Sequence, residues 1–211
     1  MDFMSEIRKC SSSLHNASEH TGFIKRIVDK GASSESYGEY LFNLSAMYKA
    51  IEDALEANAS NSIVKDFLTK ELYRHALIEK DINYLLGEKA STLDLLSSTK
   101  ASVSRIQELS KSKPELIVAY AYTRFLADLF GGRTFFELFS KDYKIDKNGL
   151  NYYLFEGIED MRSYAVKYAV KLGSISLSDD LKKDFITEVY NAYIYNLAIS
   201  NELEVKLFHC K

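Results

Sequence analysis

Arg124 and Asp128 stand four residues apart in a stretch where Tyr120, Tyr122, Phe125, Leu126, Leu129 and Phe130 supply nearly everything else. On a helix that spacing puts guanidinium and carboxylate on one face, and a charged pair among apolar neighbours is rarely left without a partner or a task. Gly131 and Gly132 follow directly. Each costs about 1 kcal/mol relative to alanine in a helix interior, and adjacent small residues are a place where helices kink. Close approach of bare backbone to a flat ligand would offset that cost. A structural salt bridge beside a packing Gly-Gly would use the same residues without function.

His15 and Glu19 repeat the four-residue spacing near the N-terminus. A carboxylate so placed can accept a hydrogen bond from one ring nitrogen while the other is left for a metal. His20 lies next door, and both histidines read equally as solvated side chains. Asn196 sits on an otherwise apolar stripe; a buried amide needs partners, and a network shared with Arg124, Asp128 and a tyrosine would supply them. No glycine-rich phosphate loop, no Ser/His/Asp or Cys/His nucleophile and no paired Glu-x-x-His set of the di-iron bundles is present.

The elements that must position these groups read as helices throughout. Pro114, the only proline, opens the central helix at 114–139, at a first-turn position where a missing N–H costs nothing. Ahead of it the spacing predicts a helix over 2–19, a short one over 23–28, and one over 34–57 with the stripe Tyr37, Tyr40, Leu41, Leu44, Met47, Tyr48, Ile51, Leu55 behind a serine cap. Helices are expected at 62–70 and at 71–86, the latter ending at Gly87 with His75 exposed. A loop over 88–95 and a polar helix over 99–112 complete the first half. A charged linker over 141–149 and an aromatic run, Leu150 to Phe155, lead to helices at 158–172 and 179–206. The last carries Phe185, Val189, Tyr193, Asn196, Leu197 and Leu203.

With 211 residues, 46% hydrophobic and 13% aromatic, one proline and nine glycines, the chain is expected to form one all-α domain over 1–211. A net charge of -3 with dispersed basic residues argues against a nucleic-acid partner. No apolar run reaches the roughly 18 residues that span a bilayer, and the first residues lack a signal-peptide core; a soluble, cytoplasmic, monomeric protein is expected. Cys10 and Cys210 have no CxxC or Cys/His spacing and read as free thiols.

The run Ala119 to Arg133, AYAYTRFLADLFGGR, resembles the distal-helix signature of heme oxygenases, usually AYTRYLGDLSGGQ. Leu14–Glu19 resembles that family's proximal histidine segment, Leu44–Glu52 the following helix, and Asn191–Asn196 the late helix. The resemblance implies a helical fold with heme between a proximal helix carrying His15, the iron ligand, and a kinked distal helix whose Gly131-Gly132 backbone lies against the porphyrin. Glu19 would hold the His15 ring, and Tyr193 would border the heme. Asp128 would anchor a water network that delivers protons to dioxygen, with Arg124, Tyr48 and Asn196 as further members, so that a meso carbon is attacked and biliverdin, carbon monoxide and ferrous iron result. Electrons would come from a ferredoxin, a flavodoxin or an NADPH-dependent reductase.

The departures from the family pattern are Ala127 for a glycine, Phe130 for a serine, and Ser102 where a network tyrosine is usual. Ala127 and Phe130 are expected to add bulk near the distal heme face. For the heme propionates the resemblance implies Arg8 and Tyr122, together with Lys167 and Lys171 if a loop before the last helix is about two residues short; an ungapped count gives Ala165 and Ala169 instead. A heme-binding or heme-sensing protein of the same fold, with turnover altered by these changes, is the alternative implied.

Overall fold

Residues 2–209 are described by a computed structural model. Among them eight α-helices, joined by short 3-10 turns and without a strand, account for most of the chain. Helix α1 covers Phe3–His20 and begins where the Asp2 carboxylate accepts from the Ser5 N–H at 2.8 Å. Helix α2 is Gly22–Val28, and α3, Ser34–Ala57, starts from a reciprocal Ser33/Ser36 cap. Helix α4 is His75–Leu86, α5 Ser97–Ser112, and α6 Ile117–Lys141, the last preceded by one 3-10 turn at Pro114–Leu116. Helices α7, Met161–Gly173, and α8, Asp179–Phe208, open from Asp160 and Ser178, whose side chains accept backbone N–H groups of the first turn.

Helix α6 is the axis of the core. From Ile117 to Tyr122 every residue is buried, as are Phe125, Leu126, Leu129 and Phe139. Such burial contributes roughly 1.5–3 kcal/mol for each large side chain. Helix α8 lies against α1, α2, α5 and α6, and α3 packs on α4 and α5. The helical hydrogen-bond pattern of α6 continues through Gly131 and Gly132.

The structure departs from the sequence reading at several points, among them the start of α6, which follows the Pro114–Leu116 turn and not Pro114 itself. The expected helix at 62–70 is two 3-10 turns, Val64–Phe67 and Lys70–Leu72, and α4 starts only at His75. The physical reason lies outside the segment: the N–H groups of Arg74 and His75 donate to the Glu52 carboxylate of α3, at 2.6 and 3.0 Å, so the helix start is fixed by a side chain from another helix. His75 is half-buried, not exposed, with Nδ1 2.8 Å from the Ser45 hydroxyl. The expected loop after α4 contains a 3-10 turn at Gly87–Thr92. Helix α7 begins three residues later than expected, at the Asp160 cap.

A strap, residues 149–155, links α6 to α7 through two 3-10 turns. Gly149 opens it where an added Cβ would come within 2.5 Å of the Tyr84 ring, so only bare backbone fits against α4 there.

Candidate heme site

A cavity of about 870 Å³ is bordered by α1 and α2 on one side and α6 on the other, with α3, α8 and the strap closing it. It brings together Arg8, His15 and Glu19 of α1, Tyr122, Arg124, Ala127, Asp128, Phe130, Gly131 and Gly132 of α6, and Tyr193 and Asn196 of α8. Gly131 is not explained by protein packing: an added Cβ would meet only Phe135, at 4.0 Å, and otherwise stand in open space. At Gly132 the same atom would make ordinary contacts with Tyr153 and Phe155, at 3.5 and 3.7 Å. A flat apolar group lying along this turn of α6 is what Gly131 leaves room for, while Gly132 lets the strap pack close.

On the α1 side, His15 Nδ1 lies 3.7 Å from Glu19 Oε1, and the imidazole meets the Tyr193 ring edge-on at 5.9 Å between centroids. Nε2 is the ring nitrogen not engaged by the carboxylate. The second histidine of the segment, His20, also borders the cavity, but its Nδ1 faces the Asn16 carbonyl at 2.8 Å.

The α6 side is a closed polar cluster. Asp128 is buried, and both of its carboxylate oxygens accept tyrosyl hydroxyls: Oδ2 from Tyr48 of α3, Oδ1 from Tyr152 of the strap at 2.5 Å. Arg124 Nη2 donates to the Tyr152 hydroxyl at 2.9 Å and lies 3.5 Å from Asp128 Oδ1, while the two tyrosyl oxygens are 3.1 Å apart. Burial pushes the Asp128 carboxyl above its ordinary value, against the opposing pull of Arg124, Tyr152 and Tyr48. The Arg124 guanidinium is held charged: burial works against it, but Tyr48, Tyr152 and Asp128 outweigh that cost. Burial also drives the Tyr48 and Tyr152 hydroxyls upward, so both stay protonated and able to donate.

Tyr48 does not line the cavity but stands behind Asp128 as its partner. Asn196 does line it, half-buried, yet no hydrogen bond among the described residues involves its side chain, so it is not joined directly to Arg124 or Asp128. Phe130 sits at the mouth with 58% of its surface exposed. Lys167 and Lys171 do not border the cavity. Helix α7 buries Ala165, Tyr168, Ala169 and Leu172, and Lys171 Nζ donates to the Asp66 carbonyl at 2.8 Å. Ser102 is buried, away from the cavity, its hydroxyl without a partner.

Sequence reasoning missed Tyr152 and its neighbour Tyr153, whose hydroxyl accepts from Tyr37 at 3.2 Å and which lines the cavity with Tyr37 and Tyr40. The only signal was the density of aromatic residues in 150–155, which carries no information about what their hydroxyls reach. The residues fit heme: a broad, largely apolar cavity, an imidazole with a free nitrogen on one wall, open space over Gly131 on the other, and the Arg8 cation at the edge.

Comparison with known proteins agrees. The heme oxygenase family profile matches residues 1–202. The heme oxygenase of Pyropia yezoensis is 31% identical over 202 residues, covering 94% of this chain and 84% of its own; that of Porphyra purpurea is 30% identical over 200 residues, covering 94% and 85%. Among solved structures, heme oxygenase from Leptospira interrogans superposes with a TM-score of 0.90 at 26% identity, over 96% of this chain and 100% of that one. Heme oxygenase-1 from Synechocystis sp. PCC6803 in complex with heme superposes with a TM-score of 0.91 at 24% identity, over 98% and 94%, a likeness of fold. Matched along nearly its whole length in sequence and in fold, the chain belongs to the heme oxygenase family.

Proposed function

We infer that the protein cleaves heme oxidatively to biliverdin, carbon monoxide and ferrous iron, with His15 as the iron ligand and Asp128 as the group that directs proton delivery. The observation that carries this reading is the buried Asp128 carboxylate, held at both oxygens, on the wall facing the same cavity as the His15 imidazole. Bound heme supplies both the iron that activates dioxygen and the porphyrin that is opened. His15 offers Nε2, with Glu19 on the Nδ1 side able to tighten from 3.7 Å into a hydrogen bond that fixes the tautomer. Gly131 and Gly132 let the α6 backbone approach the ring plane, and Ala127 and Phe130 border the same face. Tyr193 packs its edge on the His15 ring.

Asp128 performs general acid–base work through water; burial raises its proton affinity while Arg124, Tyr152 and Tyr48 favour the ionised form. Arg124 and Tyr48 hold it in place, and Asn196 offers an amide to the same water. Arg8, with Tyr122 beside it, is the cation at the cavity edge assigned to the propionates, with Lys167 and Lys171 of α7 proposed as further partners outside the cavity lining. A ferredoxin, a flavodoxin or an NADPH-dependent reductase is proposed as electron donor. No described helix is long and apolar enough to cross a membrane.

The test is to mix the protein with stoichiometric hemin, add ascorbate under air with catalase present, and follow the visible spectrum. Loss of the Soret band with a growing bilin band and released iron is the expected result. A Soret band that persists under reductant would make the protein a heme carrier or sensor instead.

A further inference from the structure

Tyr152 belongs to no long element; it rides on a single 3-10 turn, Asn151–Tyr153, in the strap between α6 and α7. A hydroxyl on such a turn is not held by helix geometry, yet its oxygen lies between the Arg124 guanidinium, at 2.9 Å, and Asp128 Oδ1, at 2.5 Å. What fixes it is a second buried carboxylate. Asp81 of α4 is fully buried, and no ion pair among the described residues includes it. Its Oδ1 accepts from both the backbone N–H and the side-chain amide of Asn151, each at 2.8 Å, and its Oδ2 from the Tyr152 N–H at 2.8 Å. All three hydrogen bonds to Asp81 come from the turn that carries Tyr152.

Burying an unpaired carboxylate is costly, and such a group is kept only where its hydrogen bonds repay the desolvation. The start of α4 grips the strap too. The buried Arg74 donates through Nη1 to the Leu154 carbonyl at 2.7 Å and lies 4.2 Å above the Phe155 ring. Arg74 is in turn tied to α3 by the Glu52 carboxylate, one turn beyond Tyr48. The two hydroxyls on Asp128 are thus set by one connected frame, α3 through Tyr48 and α4 through the strap.

We propose that Tyr152 is a positioning residue for heme cleavage, holding the Asp128 carboxylate ionised and oriented, and that Asp81 places Tyr152 by clamping its turn. Ser102, buried away from the cavity with its own hydroxyl unpartnered, gives nothing to this cluster. The inference rests on the reading of Asp128 given above. The titratable or charged groups facing Asp128 are Arg124 on its own helix, Arg74 of α4, Tyr48 and Tyr40 of α3, and Tyr152 and Tyr153 of the strap. None of them changes charge between pH 4 and 8 in its ordinary state, so a titration in that range reports Asp128 itself.

The experiment uses the full chain without heme first. Carbon-13 NMR of the aspartate side-chain carboxyls, with the Asp128 signal assigned by its absence in Asp128→Asn, gives the midpoint of Asp128 in wild type, Tyr152→Phe and Asp81→Asn. Losing one hydrogen bond to the ionised form raises that midpoint by about one pH unit in Tyr152→Phe. Asp81→Asn raises it by less, and adds nothing in the Tyr152→Phe background, because it acts through the same hydroxyl. With hemin and reductant, the acidic limb of bilin formation moves up by the same interval in Tyr152→Phe.

An unmoved Asp128 midpoint, or a moved midpoint with an unmoved acidic limb, overturns the role of Tyr152. An additive Asp81→Asn shift overturns the role of Asp81. Should Asp81→Asn fail to fold by circular dichroism, Asn151→Ala, which removes one of the three clamping donors, takes its place with the same expected direction. Normal bilin yield in Asp128→Asn, by contrast, sinks the reading of Asp128 and with it this inference, whereas loss of bilin there with an unmoved Tyr152→Phe midpoint sinks the inference alone.

Discussion

The two walls of the cavity are built on opposite plans. On α1, His15 and Glu19 keep 52% and 59% of their side-chain surface exposed and stand 3.7 Å apart, beyond hydrogen-bond reach. On α6, Arg124 and Asp128 keep 13% and 7%, and each is tied to two tyrosines from other parts of the chain. On the function proposed above, a coordinate bond to iron would orient the imidazole, which the protein itself holds loosely. A proton-directing carboxylate has no such help, since the water it steers is weakly held, and its orientation must be built in by folding. The molecule spends its buried polar contacts on the wall where the incoming group supplies least.

That contrast makes each wall depend on one group, an imidazole held by little on α1 and a carboxylate held by several contacts on α6. The largest expected effect is therefore at His15. In His15→Ala the absorption spectrum of the hemin complex changes and bilin formation falls by more than about 100-fold, beyond what losing a ligand's hydrogen-bond partner costs; an unchanged spectrum would move the ligand to His20. Asp128→Asn retains heme but lowers bilin yield by about 100-fold or more, the scale of general acid–base catalysis. A normal bilin yield from single-turnover spectra would break the comparison.

Gly131→Ala separates folding from binding on the α6 wall. Its Cβ touches only Phe135 at 4.0 Å, so the helix gains about 1 kcal/mol and thermal unfolding rises by about 2–4 °C, while hemin affinity drops. Calorimetry and a hemin titration check the two halves, and equal affinity in the variant would mean that α6 does not approach the porphyrin there. The smallest effect belongs to Glu19→Gln, under about tenfold in hemin affinity, because so loose a partner contributes at the low end for residues behind a ligand. A larger loss would show that Glu19 tightens onto His15 when heme binds.

Legibility in the sequence follows the range of the interaction concerned. Helix α3 has the bounds expected from its apolar spacing and serine cap, because the contacts that define its start are local. The start of α4 was not legible, since Glu52 satisfies its N–H groups from more than twenty residues upstream. The Arg124–Asp128 pair could be read from its spacing alone, while Tyr152 could not, because its partners lie on other elements. Lys167 and Lys171 show a different limit. Their spacing puts both on one face of α7, while the face that turns inward is set by Ala165, Tyr168, Ala169 and Leu172 packing on the core, which spacing alone does not give.

The start of α5 carries a consequence for the order in which the chain becomes native. Leu96 offers that helix no side-chain cap; the N–H groups of Ser97 and Ser98 donate instead to the Glu202 carboxylate of α8, at 2.9 and 2.8 Å. The cap is closed across more than a hundred residues. During synthesis α5 therefore emerges with its first turn unsealed, as does α2, whose Ile24 N–H donates to the Ser200 hydroxyl of α8, and the seals arrive only when the final helix docks, at an addition rate of about 5–20 residues per second. A nascent chain truncated before residue 202 would keep α5 frayed at its first turn, and amide protection there would report the moment at which the last helix joins.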